Sequence, residues 1–221
     1  AFVTLHVGAG TFLPVKEDNV YADFSYTIFT SSTGRLAFGL KAGITFMDVR
    51  ELIMVDPDPL NIPIHEASPN FGAGVYYYTD KFYAGLSAPN FLETRHLEKD
   101  GGIVSIASEK MHYFLTSGYV FDIADNLKLK PSTMIKATAG APLSVDLSLN
   151  LLVDERVELG LSHRFDDSIS GMLGFQVNDD FRIGYAYDYT TSKFGDFNSG
   201  SHEIMLLFDF NRKKVKSPRF F

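Results

Sequence analysis

The feature that most constrains the fold is a strict alternation of apolar and polar residues along many short segments. Its period of two is that of a β-strand, whose successive side chains point to opposite faces of a sheet. The alternation recurs over 35–46, 143–151, 157–165, 181–190 and 202–210, and no helical period competes with it. In the clearest segment one face carries Leu36, Phe38, Leu40, Ala42, Ile44 and Phe46, and the other carries Arg35, Ala37, Gly39, Lys41, Gly43 and Thr45.

About twelve segments show this pattern or a weaker form of it. Most approach the roughly 9–11 residues that a tilted strand needs to cross a bilayer. The sequence therefore predicts an all-β fold, an antiparallel transmembrane β-barrel of the outer-membrane type with a polar interior. The predicted strands are 1–8, 20–30, 35–46, 70–79, 82–88, 111–121, 127–138, 143–152, 157–165, 169–177, 181–190 and 201–210.

Composition excludes several other classes of protein. No run of 18 or more uncharged apolar residues occurs, so the sequence contains no membrane-spanning helix. The net charge of −7 argues against nucleic acid as a partner. The chain has no cysteine, which excludes disulfides and thiolate metal sites.

Long and short connections alternate along the chain, which predicts the orientation in the membrane. An outer-membrane barrel has its short turns in the periplasm and its long loops outside the cell. We therefore expect the long loops outside, including the Pro-rich segment 56–63, and the C-terminus in the periplasm. The short turns are 31–34, 80–81, 122–126, 154–156 and 178–180, and the long connections are 47–69, 89–110 and 191–200.

Charged residues of both signs fall on the polar face of the predicted strands. In a barrel lumen they can pair with one another or remain hydrated. Aromatic residues fall near both strand ends, as in interfacial girdles: Phe46, Phe71, Phe165 and Tyr189 at outer ends, and Tyr77, Phe82, Phe121, Phe175 and Phe181 beside short turns. The charged inward residues are Asp23, Lys41, Lys128, Lys130, Lys136, Asp146, Glu158, Arg164, Arg182, Asp188 and Glu203.

Catalytic and metal chemistry finds little support in the sequence. Ser162 beside His163, and Ser201 beside His202, resemble nucleophile and base pairs, but adjacent residues of a strand point to opposite faces. Asp56, Asp58 and Asp100 could gather calcium in external loops, yet they lack the spacing of an EF-hand, and a solvated acidic loop is the alternative. We expect no enzymatic activity, cofactor or metal.

The last residues of the chain, 211–221, form a basic tail after a barrel that spans 1–210. Cations beside an aromatic pair suit the acidic surface of a partner, here a periplasmic component. A solvated tail that merely follows a membrane strand is the alternative. The candidate partner-binding residues are Arg212, Lys213, Lys214, Lys216, Arg219, Phe220 and Phe221.

Several blocks of sequence carry a family resemblance that covers roughly 15–221. They include VYADFSYTI (20–28), FGLKAGI (38–44), NFGAGVYYYTDKFYAGLSAPN (70–90), HYFLTSGYVFD (112–122) and GSHEIMLLFDF (200–210). With these blocks the chain resembles the PorP/SprF family of outer-membrane proteins of type IX secretion in Bacteroidetes. Members of that family carry further strands before the point where this sequence begins, which implies about fourteen strands in the complete barrel.

The resemblance implies a role in type IX secretion, in gliding motility or in attachment of adhesins to the cell surface. It implies an outer-membrane anchor that captures the C-terminal domain of a secreted adhesin, or other type IX cargo, at its external loops. Outer-membrane lipid and periplasmic type IX components are the other implied partners. A porin-like diffusion channel is the alternative, although inward Tyr76, Tyr78 and Tyr83 favour an occluded lumen.

Overall fold

A computed structural model describes residues 1–12, 15–49, 64–92, 95–100, 103–108, 110–196 and 199–208. The described chain is built of β-strands and one short 3-10 helix, Lys193–Asp196. Among the described residues no helix is long and apolar enough to cross a membrane. The strands are β1 Phe2–Phe12, β2 Val15–Phe29, β3 Arg35–Val49, β4 Ile64–Tyr78, β5 Phe82–Ala88, β6 Arg95–Asp100, β7 Ile103–Ser108, β8 His112–Tyr119, β9 Phe121–Ala124, β10 Leu127–Thr138, β11 Ser144–Val153, β12 Val157–Arg164, β13 Ser168–Asn178, β14 Phe181–Thr190 and β15 Ser201–Phe208.

The main sheet is an antiparallel meander in which strands follow one another in chain order. Its order is β1-β2-β3-β4-β5-β8-β10-β11-β12-β13-β14-β15, with β9 paired to β10. The strands β6 and β7 form a separate hairpin, so the path from β5 continues directly to β8. The predicted all-β antiparallel fold of outer-membrane type is confirmed, and each of the twelve predicted strands corresponds to a strand of the main path.

Several predicted boundaries were wrong. The strands predicted over 1–8 and 20–30 are longer at the ends where they meet, because the β1–β2 ladder continues to the pair of Phe12 and Val15. The connection predicted over 47–69 is shorter, because Met47 still pairs with Glu66 and the β3–β4 ladder runs as far as Val49 and Ile64. The connection predicted over 89–110 contains the β6–β7 hairpin. The strand predicted over 111–121 divides into β8 and β9 at Val120. The Val120 amide still donates to the Lys81 carbonyl in the β5–β8 register, and β9 beyond it pairs with β10.

Cross-strand register separates the side chains of the main sheet into two faces. Leu40 shares one face with Phe24 and Ala73, whereas the next residue, Lys41, shares the other with Asp23 and Gly72. We call these the apolar face and the polar face. All the charged residues predicted to point inward lie on the polar face, since the register carries it through every strand from β2 to β15.

Exposure is inverted relative to a water-soluble protein. On the apolar face Leu5, Leu161 and Ile204 are 68%, 65% and 76% exposed. On the polar face Glu158 and Arg182 are 6% and 7% exposed. Burying charges while exposing leucine and isoleucine costs free energy in water but matches a wall with lipid on one side and a polar interior on the other.

The connections place the two ends of the sheet. Tight turns join β2 to β3, β4 to β5, β11 to β12 and β13 to β14 at one end, which we call the short-turn end. Asp154 and Glu155 both adopt positive φ, the conformation of a two-residue hairpin turn whose twist matches the strands. At the opposite end, the long-loop end, lie the connections 50–63 and 191–200, although two connections there, 139–143 and 165–167, are short.

Candidate functional site: the polar face and the long-loop end

A network of charge-assisted hydrogen bonds crosses the polar face near the long-loop end. Arg164 of β12 donates from Nε to Asp146 Oδ1 at 2.6 Å and from Nη2 to Asp146 Oδ2 at 3.1 Å. Its Nη1 donates to Asp167 Oδ2 at 3.2 Å. Asp146 is 8% exposed, so its charge depends on Arg164 for compensation.

Further polar pairs continue the network toward the short-turn end. Asn150 donates to Glu158 Oε1 at 2.8 Å. Arg182 donates from Nε and Nη2 to Gln176 Oε1, at 2.8 and 2.6 Å. The buried charged groups Asp146, Glu158 and Arg182 thus have hydrogen-bond partners on a neighbouring strand, which ties β11 to β12 and β13 to β14 through side chains as well as backbone.

The predicted inward tyrosines Tyr76, Tyr78 and Tyr83 lie together on the polar face of β4 and β5. The ring centroids of Tyr76 and Tyr83 are 5.9 Å apart, and those of Tyr76 and Tyr78 are 5.6 Å apart. Two glycines provide the space for these rings. A Cβ added to Gly118 would lie 2.6 Å from the Tyr83 ring, and a Cβ added to Gly85 would lie 2.7 Å from the Tyr76 ring. These rings cover part of the polar face close to the short-turn end.

Strands β2, β3 and β4 are each 15 residues long and extend past the apolar band. At about 3.3 Å per residue each is about 50 Å long. Tilted by about 40°, such a strand rises about 38 Å, against an apolar band about 25 Å tall. The excess is at the long-loop end, where Lys16, Asp18, Asp48 and His65 bring charged and polar groups onto the apolar face. We call residues 15–19, 45–49 and 64–68 the crown.

Polar contacts hold the crown together on both faces. On the apolar-face side Lys16 Nζ lies 2.6 Å from Asp18 Oδ2, and His65 Nδ1 lies 2.7 Å from Asp48 Oδ1. On the polar-face side Thr45 donates to Asn19 Oδ1 at 2.6 Å. Charged side chains facing outward are not compatible with lipid, so the crown stands in the aqueous phase beyond the bilayer.

A cavity of about 450 Å³ opens on the polar face at the long-loop end. It lies between β8, β10, β11 and β12, beside the 139–143 turn. Arg164 and its two carboxylate partners form one wall, and Lys136, His112 and Phe114 line another. The Lys136 Nζ is 6.0 Å from the Phe114 ring centroid.

The short-turn end is joined by ion pairs between neighbouring turns. Lys81 Nζ lies 2.8 Å from Asp122 Oδ2, and Lys128 Nζ lies 2.8 Å from Glu155 Oε1. The hydrogen bond between the first two raises the pKa of Lys81 above its ordinary value and lowers that of Asp122. β15 ends at this end of the sheet, since Phe208 pairs and stacks with Phe181.

Every predicted partner-binding residue of the tail falls outside the described residues, as do Asp56 and Asp58. Of the two Ser-His pairs, Ser162 and His163 lie on opposite faces: Ser162 Oγ is 2.8 Å from Ser148 Oγ, whereas the His163 ring packs against Phe165. His202 Nδ1 is 2.7 Å from the Tyr185 hydroxyl. In the described part of the chain no group of three or more His, Asp or Glu is arranged to hold a metal ion.

Comparison with protein families identifies the chain. The model of a family described as type IX secretion system membrane protein PorP/SprF matches residues 9–208. The chain belongs to the PorP/SprF family. Its strands of bilayer length, apolar on one face and polar on the other, are those of an outer-membrane protein, so this PorP/SprF member is an outer-membrane component of type IX secretion.

Other similarities are limited. S-adenosylmethionine:tRNA ribosyltransferase-isomerases of Rickettsia typhi and Rickettsia prowazekii are 57% identical over 37 residues, which is 17% of this chain and 10% of each enzyme. The chain thus spans only a small part of the curated relatives it matches. Among solved structures, the chain is similar to the crystal structure of a Pseudomonas aeruginosa FadL homologue, with 14% sequence identity and a TM-score of 0.46. The superposition covers 93% of this chain and 70% of the homologue's chain.

Sequence reasoning missed the crown and the cavity. The crown residues belong to strands, but polar residues occur on both faces there and weaken the alternation, so the segment 64–69 was predicted as loop. Only the cross-strand register with β3 reveals it as a continuation of the sheet. The cavity depends on side chains from four strands and a turn, which no local pattern brings together.

Proposed function

We propose that this PorP/SprF protein anchors or captures a secreted surface protein, such as an adhesin used in gliding motility, at its long-loop end. The crown carries the proposal, because β2 to β4 extend well beyond what a bilayer requires and end in outward polar side chains. A rigid sheet that presents polar groups and loops outside the membrane is a suitable binding platform. In this orientation the long-loop end faces the cell exterior and the short-turn end faces the periplasm.

The register of β3 and β4 allows a clean test of the crown. Phe46 pairs with Ala67, so joining these two residues through an Asn-Gly turn removes 47–66 without shifting the ladder below. We expect the shortened barrel to assemble in the outer membrane and to lose retention of its secreted partner. Surface retention would be measured by immunoblotting of intact cells treated with protease.

A matched control shortens the neighbouring connection. Arg95 pairs with Ser108, so an Asn-Gly turn between them removes 96–107, most of the β6–β7 hairpin, while leaving the crown and the residues of the polar-face cavity intact. We expect this variant to retain the partner better than the crown deletion does. Normal retention by the crown deletion would contradict the proposed site.

A porin-like diffusion channel is the second candidate, favoured by the charged polar face. Two observations support the anchor instead. The charges that are most buried are paired across strands, and Tyr76, Tyr78 and Tyr83 project over the polar face near the short-turn end. We expect the purified full-length protein to show little ion conductance in a planar bilayer, whereas steady single-channel currents would favour diffusion.

The proposal assigns no catalytic step to this chain. The lipid-facing strands contact outer-membrane lipid, and binding of cargo is an equilibrium at the aqueous end of the sheet. The basic tail is proposed as a separate contact, toward a periplasmic type IX component, since β15 ends at the short-turn end.

A further inference from the structure

The cavity on the polar face has the dimensions of a binding site and no evident structural task. Its volume of about 450 Å³ lies within the range of roughly 300–1,000 Å³ that small-ligand sites occupy. Its two carboxylates are already compensated, because Asp146 and Asp167 both accept hydrogen bonds from Arg164. A cationic ligand would therefore find no free carboxylate on this wall.

One lysine that lines the cavity, Lys136, has no ion-pair partner among the residues that the structure describes. Lys136 is exposed, and its Nζ lies over the Phe114 ring at 6.0 Å from the centroid. Lys110 lies beside the 139–143 turn that borders the cavity, since a Cβ on Gly140 would be 2.8 Å from its Nζ. Arg164 is already engaged by Asp146 and Asp167, so among the charged residues that line the cavity Lys136 is the one that leaves its charge open to a ligand.

A flat aromatic shelf lies beside these cations. The His112 and Phe114 rings stack with centroids 6.4 Å apart and an interplanar angle of 20°. Pro142, from the 139–143 turn, faces the same space. The cavity thus offers positive charge next to an apolar surface, which suits an acidic group carried beside an apolar one.

We propose that this cavity binds an acidic peptide segment of the secreted partner, with a carboxylate beside Lys136 and an apolar side chain on the Phe114 shelf. This inference rests on the proposed function and names a contact within it. A peptide is the occupant that the geometry favours, because the cavity opens on the polar face at the long-loop end. Lipid headgroups meet the opposite face of the sheet.

The test uses the full-length protein in nanodiscs and two fluorescent pentapeptides, Gly-Glu-Phe-Glu-Gly and its uncharged twin Gly-Gln-Phe-Gln-Gly. Fluorescence anisotropy should show binding of the acidic peptide alone. Binding should weaken strongly at about 1 M salt, where the Debye length is about 3 Å. Equal affinity for the two peptides overturns the proposal without reference to any variant.

Substitutions locate the contact. Lys136→Gln should weaken binding of the acidic peptide about tenfold, which corresponds to about 1.4 kcal/mol. Lys136→Arg should restore most of it, because the charge is kept. Lys128→Gln is the matched control, since Lys128 lies on the same strand and face but pairs with Glu155 at the other end of the sheet.

Several further outcomes would contradict the proposed peptide site. Unchanged binding by a folded Lys136→Gln protein, or an equal loss with Lys128→Gln, contradicts the site. If an equal concentration of inorganic phosphate displaces the acidic peptide, the cavity is a simple anion site and the proposal of a peptide ligand is wrong. If the crown deletion abolishes surface retention while the acidic peptide fails to bind, the anchoring function stands and the cavity proposal falls.

Discussion

Arg164 holds Asp146 through two hydrogen bonds, from Nε to Oδ1 at 2.6 Å and from Nη2 to Oδ2 at 3.1 Å. The two residues are directly opposite each other on β12 and β11, so the pair fixes the register of these strands on the polar face. Asp146 is almost completely covered, and loss of Arg164 would leave it charged without its principal partner.

We therefore predict that Arg164→Met lowers the free energy of unfolding by about 2 kcal/mol, the value of a hydrogen-bonded charge at a partly exposed site. Asp146→Leu combined with Arg164→Met should recover part of that loss, because no unpaired carboxylate remains. Urea unfolding in lipid vesicles, run as a double-mutant cycle, measures the coupling. Strictly additive effects would show that the pair contributes nothing.

A charged substitution should prevent assembly on the apolar face of β11 and should be tolerated on its polar face. Leu149 is 47% exposed on the apolar face, whereas its neighbour Ser148 lies on the polar face and contacts Ser162. Leu149→Arg should cost roughly 2–4 kcal/mol near the bilayer midplane and prevent assembly. Ser148→Arg is the control and should assemble; outer-membrane fractionation that finds both variants at equal levels would contradict the assignment of faces.

The strands and their faces could be predicted from the sequence because both depend on a local period of two. The segment 143–151 alternates over its whole length, and its apolar residues within β11, from Val145 to Leu151, lie on the apolar face. The ends of β3 and β4 could not be predicted in this way. Once a strand leaves the bilayer both of its faces meet water, so Asp48 and His65 lose the contrast between faces and only their pairing marks them as strand.

The site was less predictable than the fold. The pattern placed Lys136, Asp146 and Arg164 on one face but could not tell which of them pair. That choice depends on register, because Arg164 lies opposite Asp146, whereas Lys136 lies opposite Ser144 and Phe114 and keeps its charge free of a described partner. Asp56 and Asp58, which the sequence analysis weighed as calcium ligands and expected to belong to a solvated acidic loop, lie outside the described residues, so that expectation stays a prediction.

Close packing of tyrosine on glycine gives a third prediction. A Cβ on Gly118 would lie 2.6 Å from the Tyr83 ring, so Gly118→Ala should destabilise the protein by about 1–3 kcal/mol through overpacking. Adding Tyr83→Ala should remove the clash and reverse part of the loss. Gly171→Ala is the control, since nothing lies within 4 Å of its added Cβ. Thermal unfolding in detergent compares the three, and equal shifts for Gly118→Ala and Gly171→Ala would contradict this explanation.

The Lys81–Asp122 pair gives a prediction on pH at the short-turn end, outside the spanning strands. Because the pKa of Asp122 is lowered, the stabilisation that this residue gives the folded protein is present above the ordinary carboxyl pKa. It is lost as the pH falls through the pKa of the folded state. Because the pKa of Lys81 is raised, the stabilisation that this residue gives is lost only as the pH rises through a pKa above the ordinary lysine value. NMR titration of labelled Asp122 should show the lower pKa, and Lys81→Met should return it toward normal; an unchanged Asp122 pKa in that variant would rule out Lys81 as the cause.

The last prediction concerns the basic tail, which follows β15 at the short-turn end. Phe208 pairs with Phe181 beside the 178–180 turn, so the chain leaves the sheet on the side that we propose faces the periplasm. Arg212, Lys213 and Lys214 open the tail, and Pro218 disfavours its continuation as a ladder-paired strand. Cations followed by two terminal phenylalanines suit an acidic protein surface that has an apolar pocket.

Removing 212–221 should therefore leave the barrel assembled in the outer membrane while secretion through the type IX system fails. A second variant replaces the five cations of the tail with glutamine and keeps Phe220 and Phe221, so it tests the charge alone. We expect it to weaken secretion, because it removes the electrostatic attraction to an acidic partner surface. Membrane fractionation and assay of secreted cargo are made on the same cells. If the truncated barrel is absent from the outer membrane, the tail serves insertion instead, because a docking peptide is not needed for assembly.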